Sequence, residues 1–365
     1  MRIFIIIIIG IHGIIHLFGF LKAFGLFEFN AISQPISKPV GVIWLLAFIL
    51  FSVTTFLLTI QSNYWWIIGF IAVLLSQFLI ILYWKDAKFG TIFNLVILVS
   101  ALIAFSTFNF KKKVSVEIEK MHSEITSSNE KIVSEQMIVD LPIAVQNWLN
   151  KSGIIGKETI QSVFLEQDLQ MLIKPEQKEW NNAEAKQYFT TDPPAFNWSV
   201  NLKMNPLIEM VGRDKFENGK GEMIIKLFSM FSVANAKNNE KTNQATLQRY
   251  LAEIVWFPTA ALSPYITWEA IDNNSSKATM TFNGTKGTGV FYFDEIGYFK
   301  KFVAMRYKDS EENSKPMQWT VTSTKTELRN GISIPVELKA NWKLDSENWT
   351  WLKLKINRME YNTLK

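Results

Sequence analysis

The sequence predicts a membrane α plus α+β chain: a four-transmembrane-helix bundle followed by a large antiparallel, curled β-sheet, or half-barrel, with one or two covering helices. Three observations carry this. Residues 1–110 hold seven charged side chains (Arg2, Lys22, Glu28, Lys38, Lys85, Asp86, Lys88), whereas residues 111–365 hold 33 bases and 31 acids. Four apolar runs in the first part each approach the ~20 residues that cross a bilayer as a helix. From about Glu158 the pattern changes to two-residue alternation broken by turn signals.

The predicted spans are 3–21, 40–60, 64–84 and 89–110. Backbone amides in lipid must bond within their own segment, so helices are the spanning choice. Trp44, Tyr64-Trp65-Trp66 and Tyr83-Trp84 stand where interfacial aromatics belong. The uncharged turn Gln61-Ser62-Asn63 makes the second and third spans a hairpin. Arg2 before an isoleucine run resembles a signal peptide, but two histidines interrupt the run and no small-x-small cleavage site follows. The short loops holding Lys22, Lys38, Lys85 and Lys88 are expected in the cytoplasm, which puts the C-terminal domain outside it. Lys111-Lys112-Lys113 argues for the reverse orientation. The chain is thus expected as a multi-pass protein of a bacterial inner membrane.

Residues 111–139 are charged, Ser/Thr-rich and poor in aromatics, and read as a stalk. The β-rich domain then runs over 140–365. Its first helix is expected at 141–152, with Asp140 as cap, Pro142 in the first turn and Gly153 as stop. Candidate strands are 159–166, 168–174, 197–204, 208–217, 221–231, 266–272, 277–283, 287–294, 298–308, 317–325, 334–343 and 349–361. Asn218-Gly219, Asn283-Gly284 and Asn330-Gly331 mark hairpin turns. A second helix at about 243–256 carries Leu247, Tyr250, Leu251 and Ile254 on one stripe and ends near Pro258.

Several classes are excluded or weakened. There is no Cys, hence no disulfide framework, thiolate nucleophile or Cys-ligated metal. The near balance of charge after residue 110 gives no signature of a nucleic-acid binder. After that residue the sole histidine is His122, so the domain has no Ser-His-Asp triad. Gly284-x-x-Gly287-x-Gly289 joins two strands and is not a dinucleotide loop. No metal site or cofactor is expected.

His12 and His16, at i,i+4, share one face of the first span. They are read either as neutral groups bonding between helices, with Gly10, Gly13 and Gly19 permitting close approach, or as a metal, haem or proton-relay site. Lys22, Gln77, Asp86, Lys88 and Asn94 are the possible companions. In the β domain, Glu253 precedes Trp256 by one turn. It is either a general acid of raised pKa or an ion-pair partner of Arg249, and the i,i+4 spacing favours the pair. Nine tryptophans after residue 110 either fill the core or line an apolar cavity. Trp198, Trp256, Trp268, Trp319 and Trp342, with Leu247, Leu251 and Glu253, are the candidate ligand-binding residues.

A resemblance adds to this. His12-x3-His16, Trp84-Lys85-Asp86-Ala87-Lys88-Phe89-Gly90-Thr91, Leu141-Pro142, Phe196-x-Trp198 and Arg249-Tyr250-Leu251-Ala252-Glu253-x2-Trp256-x-Pro258 are similar to an uncharacterised bacterial membrane protein family of Bacteroidetes type, a domain of unknown function. Its β domain resembles the LolA/LolB half-barrel in strand layout. That resemblance implies an extracytoplasmic domain binding a lipid-like or other apolar ligand, or an envelope partner. The alternatives are a membrane-embedded metal, haem or proton-relay enzyme at His12 and His16, and a structural envelope protein.

Overall fold

A computed structural model describes residues 2–27, 32–125, 131–205, 208–345 and 347–363. Glu28 and residues 126–130 of the expected stalk lie outside the described residues. Contacts divide the chain into two units, Met1–Lys112 with Phe228–Met230, and Lys113–Leu227 with Phe231–Lys365.

The first unit contains α1 (Arg2–Ala23), α2 (Lys38–Thr59), α3 (Trp65–Leu82), the single turn α4 (Trp84–Ala87) and the apolar start of α5 (Gly90–Ser123). The helices α1, α2, α3 and α5 are long and apolar enough to cross a membrane. Ile9, Phe51, Ala72, Ile97 and Ala101 are fully buried between them. Small residues set the spacing of α1 and α2. A Cβ on Gly19 would lie 2.2 Å from the Trp44 ring, and one on Gly13 would lie 2.9 Å from Phe51 Cβ. Gly10 meets nothing closer than Thr55 at 4.0 Å, so it does not share that role.

The expected stalk is organised where it is described. α5 continues through Lys111–Lys113 to Ser123, because its polar half still has helix-favouring residues and no Gly or Pro. Within the second unit its Glu117 pairs with Arg213, 3.1 Å apart. Beyond the undescribed residues, Val133 bonds Lys157 and Gly156 through the backbone. Val133 and Ile138 are core residues. The stretch has other apolar residues, among them Ile132, Met137 and Val139, which stay exposed, so no spacing marks Val133 and Ile138 as the two that tie it down.

The second unit is one 13-stranded antiparallel sheet curled into a half-barrel. Six strands form one meander: β1 (Ser162–Met171), β2 (Asn181–Thr191), β3 (Pro194–Lys203), β4 (Glu209–Glu217), β5 (Lys220–Leu227) and β6 (Phe231–Lys237). Seven form the other: β7 (Ile266–Asp272), β8 (Ser275–Phe282), β9 (Thr285–Phe293), β10 (Phe299–Arg306), β11 (Met317–Arg329), β12 (Ile332–Lys343) and β13 (Asn348–Tyr361). They join where β1 pairs with β13, from Val163 opposite Tyr361 to Met171 opposite Leu352. The edges of the sheet are therefore β6 and β7.

Three strand expectations change. The expected pair 159–166 and 168–174 is the single strand β1, and the break read at Gln167 is a bulge against β13. β2 escaped notice because its inward residues begin with Ala183 and Ala185, too small to give a hydrophobic alternation. The run 221–231 is β5 and the turn after it; β6 begins at its last residue and was not expected, since as an edge it has no buried face to betray it.

α6 (Ile143–Ser152) and α7 (Glu240–Glu253) pack on the sheet, followed by 3-10 turns at Ile254–Trp256 and Pro258–Leu262. Asn239 caps α7 by accepting from Lys241 N and Thr242 N. Glycine lets the helix sit close: a Cβ on Gly287 would lie 2.7 Å from the Gln248 side chain, and one on Gly221 would lie 2.3 Å from Thr246 Oγ1. The turn after α7 is bolted down by Trp256 Nε1 donating to Pro335 O (3.0 Å) and Tyr361 OH donating to Trp256 O (2.6 Å). Leu247, Leu251 and Ile254 are fully buried beneath α7. Leu251→Ala should destabilise the domain by about 2–5 kcal/mol, as a cavity is left that the sheet cannot fill. Denaturant unfolding of the full-length protein in detergent, followed by tryptophan fluorescence, checks this.

Candidate ligand-binding site

A cavity of about 380 Å³ lies against the sheet within the second unit. Its walls come from both meanders, because the curl brings β1, β3, β4 and β5 round toward β10, β11, β12 and β13. Apolar walls include Leu169, Val200 and Leu202 on one side and Val321, Leu338 and Leu352 on the other. Tryptophans form a ladder along it. Trp319 stands opposite Trp342, and Trp342 opposite Trp349. Trp351 follows at i,i+2 and is the extra residue at the register shift, after which Leu352 and Leu354 join the wall.

The α7 side of the cavity is polar and tightly connected. Arg249 donates from Nη1 to Asp214 Oδ2 (2.7 Å) and from Nε to Glu253 Oε1 (2.9 Å). Gln187 Nε2 donates to the other oxygen of Glu253 (2.7 Å), Gln167 Nε2 to Gln187 Oε1 (3.1 Å), and Trp198 Nε1 to Gln167 Oε1 (3.0 Å). The Arg249 guanidinium lies over the Trp198 ring, 4.7 Å from its centre. The chain of bonds runs from α7 to β4, β2, β1 and β3, so it fastens the covering helix to four strands. Burial works against the charge of Arg249, but Glu253 and Asp214 outweigh it and raise its pKa. Burial also raises the Glu253 pKa, against the opposing pull of Arg249 and Gln187. Glu253 is thus the ion-pair partner favoured by its spacing.

Trp198, Glu253, Trp256, Trp319 and Trp342 all line the cavity. Leu247, Leu251 and Trp268 do not. The first two face the sheet core on the opposite stripe of α7. Trp268 packs on Trp148 and Phe291 and donates to Ala261 O at 3.0 Å. Arg306, Asp214, Gln167, Gln187, Trp349 and Trp351 also line or bridge the cavity and were missed. Arg306 carried a signal: it continues the phase of the buried Phe302 and Ala304, so it points where apolar residues point.

In the first unit, His12 Nε2 lies 2.9 Å from Asn94 Oδ1 and 3.2 Å from Ser76 Oγ, and His16 Nδ1 lies 2.9 Å from His12 O. Asn94 donates to Gln77, which donates to Thr91. His12, His16, Gln77 and Asn94 are therefore one network joining α1, α3 and α5. The other expected companions are elsewhere. Lys22 donates to Ile32 O. Asp86 accepts from Ser33 and Gln34, closing the loop before α2. Lys88 lies 5.3 Å from the Phe89 ring centre. Among the described residues, no three His, Asp or Glu side chains gather as metal ligands.

The fold and cavity define a class: a chain with four apolar helices and a curled half-barrel that encloses an apolar space beneath a helix. Residues 139–361 match a family of unknown function, DUF6920, and the chain belongs to that family. A crystal structure titled a β-barrel-like protein of domain of unknown function DUF1849 from Brucella abortus is similar at 10% identity. That match covers 56% of this chain and 99% of the other, with a TM-score of 0.22. No curated protein matches the chain.

Glu253 gives a pH prediction. Its folded pKa is raised, so the stability linked to this carboxyl is complete below the ordinary carboxylate range. It is lost as pH rises through the raised value. Thermal unfolding across this range should show that slope in the wild type and a flatter profile in Glu253→Gln.

Proposed function

We propose that this chain is a membrane-anchored binder of lipid-like or other apolar ligands, with its half-barrel outside the cytoplasm of a bacterial cell. The observation that carries the reading is the 380 Å³ cavity with its tryptophan and aliphatic walls. Apolar pockets of roughly this size suit small hydrophobic ligands. Burying an acyl chain there removes apolar area from water on both partners. The LolA/LolB type of half-barrel is a fold-level analogy for such binding and assigns no residue roles.

The membrane part of the reading is supported by an inverted pattern in the first unit. Ile3, Leu74, Phe89 and Ile92 are each more than 60% exposed, whereas His12, His16 and Asn94 are each 2% exposed. An apolar exterior around a polar interior is what lipid as solvent demands. His12 hydrogen-bonds to residues of two other helices, which favours packing over redox chemistry.

Mass spectrometry of the full-length protein purified in detergent should find a bound hydrophobic ligand. Met223→Trp, which fills part of the cavity, should lower the ligand carried per protein without loss of folded protein. Failure to find any ligand, with equal apolar-dye binding by both forms, would leave the structural-protein reading. The orientation has its own test. A reporter active only outside the cytoplasm should work when fused to the C-terminus and be silent in the 85–88 loop. The opposite pattern would place the domain in the cytoplasm.

A further inference from the structure

The charged and hydrogen-bonding groups of the cavity are unequally matched. Arg213 pairs with Glu117 and Glu222, at 3.1 and 3.0 Å, and Arg249 with Asp214 and Glu253. Those two arginines use up the carboxylates of the site. Arg306 is different. Its guanidinium lies over Trp319 (4.6 Å) and Trp342 (5.7 Å), and Nε donates to Ala245 O at 2.8 Å. Among the described residues, no carboxylate is paired with it and nothing accepts from its two terminal nitrogens. Burial pulls its pKa down to about 10, and Asp214 and Glu253, which act on it from outside pairing distance, oppose this only in part.

Lys308, in the exposed bend just after β10, lies over Trp349, 5.0 Å from the ring centre. Nearby, the indole N–H groups of Trp319, Trp349 and Trp351 are buried and without a hydrogen-bond partner. A buried donor of this kind costs free energy unless something accepts from it. Arginine, lysine and indole have one thing in common: they donate and cannot accept. A wall of indole donors beside a guanidinium with no carboxylate paired to it, and an exposed lysine at its rim, calls for a ligand group that only accepts. The neighbouring walls are apolar.

We propose that the cavity takes an amphiphile with an apolar body and one anionic head, and that Arg306 holds the head. This rests on the apolar-ligand reading above and adds the chemistry of the head. Lys308 and the free indoles of Trp319 and Trp349 complete the anion contacts, and the aliphatic walls take the body. A carboxylate and a phosphate monoester share this chemistry.

The full-length protein in nanodiscs is photolabelled with a diazirine-bearing palmitic acid, and the labelled peptides are mapped. Label should fall in β10–β13. Unlabelled palmitic acid or hexadecyl phosphate should displace it at about tenfold lower concentration than methyl palmitate, which keeps the body and loses the charge. The stronger of the two acids identifies the head, and inorganic phosphate should displace nothing. Arg306→Gln should abolish the preference for acid over ester while leaving ester competition unchanged. Arg306→Lys should keep most of the preference. If Arg306→Gln does not fold, Trp349→Phe, which removes one indole donor, should weaken acid competition alone. Equal competition by acid and ester in the wild type overturns the anionic-head assignment and leaves the apolar cavity intact. Displacement by inorganic phosphate makes the site one for a small anion and also overturns it. Absence of label from the cavity overturns both readings.

Discussion

The pairing of β1 with β13 is the constraint on which the half-barrel depends. Every other strand pair is a local hairpin between neighbours in sequence. The β1–β13 ladder alone brings together residues nearly 200 positions apart, such as Val163 and Tyr361. Closing so long a loop has an entropic cost that grows only slowly with length, and a full antiparallel ladder offsets it. Once the ladder forms, β6 and β7 become the two edges, and the segment between them must travel from one edge to the other. That segment is α7 and the turns after it, so the helix that covers the sheet follows from the strand order.

The covering helix divides the interior by chemistry. Its Leu247, Leu251 and Ile254 stripe is dry and meets aromatic core. Its Arg249 and Glu253 side meets Asp214, Gln187 and Gln167 in a continuous hydrogen-bonded chain. A buried ion pair adds little net stability compared with apolar packing. It does fix direction, since only one seating of α7 satisfies both charges. The tryptophan wall beyond it contrasts with this. There, the indole N–H groups of Trp319, Trp349 and Trp351 are left without acceptors, and Arg306 bonds through Nε alone, a cost that a stability-optimised core would avoid. Costs of this kind concentrate where a protein binds something.

The four-helix unit uses a similar economy of polar groups. His12, Ser76, Asn94 and Gln77 bond one another across α1, α3 and α5, and on its other contact α1 approaches α2 closely at Gly13 and Gly19. Lys22 and Asp86 serve loops instead.

The sequence by itself determined the two-part organisation, the four apolar helices, the antiparallel sheet and the Asn-Gly turns. These depend on local signals: runs of apolar residues, period-two alternation and turn chemistry. It also placed Trp198, Glu253, Trp256, Trp319 and Trp342 on elements that meet at the cavity. The tertiary structure alone decided which strands are neighbours, since alternation is the same whatever strand lies alongside. It decided that Gln167 marks a bulge and not a strand end, because a bulge is defined by its partner. It turned Leu247 and Leu251 inward to the core, because the curl of the sheet chooses which stripe of α7 faces the cavity. It also left Arg306 without a direct ion pair, because pairing is a matter of distances between β4, α7 and β10 that no spacing along the chain encodes.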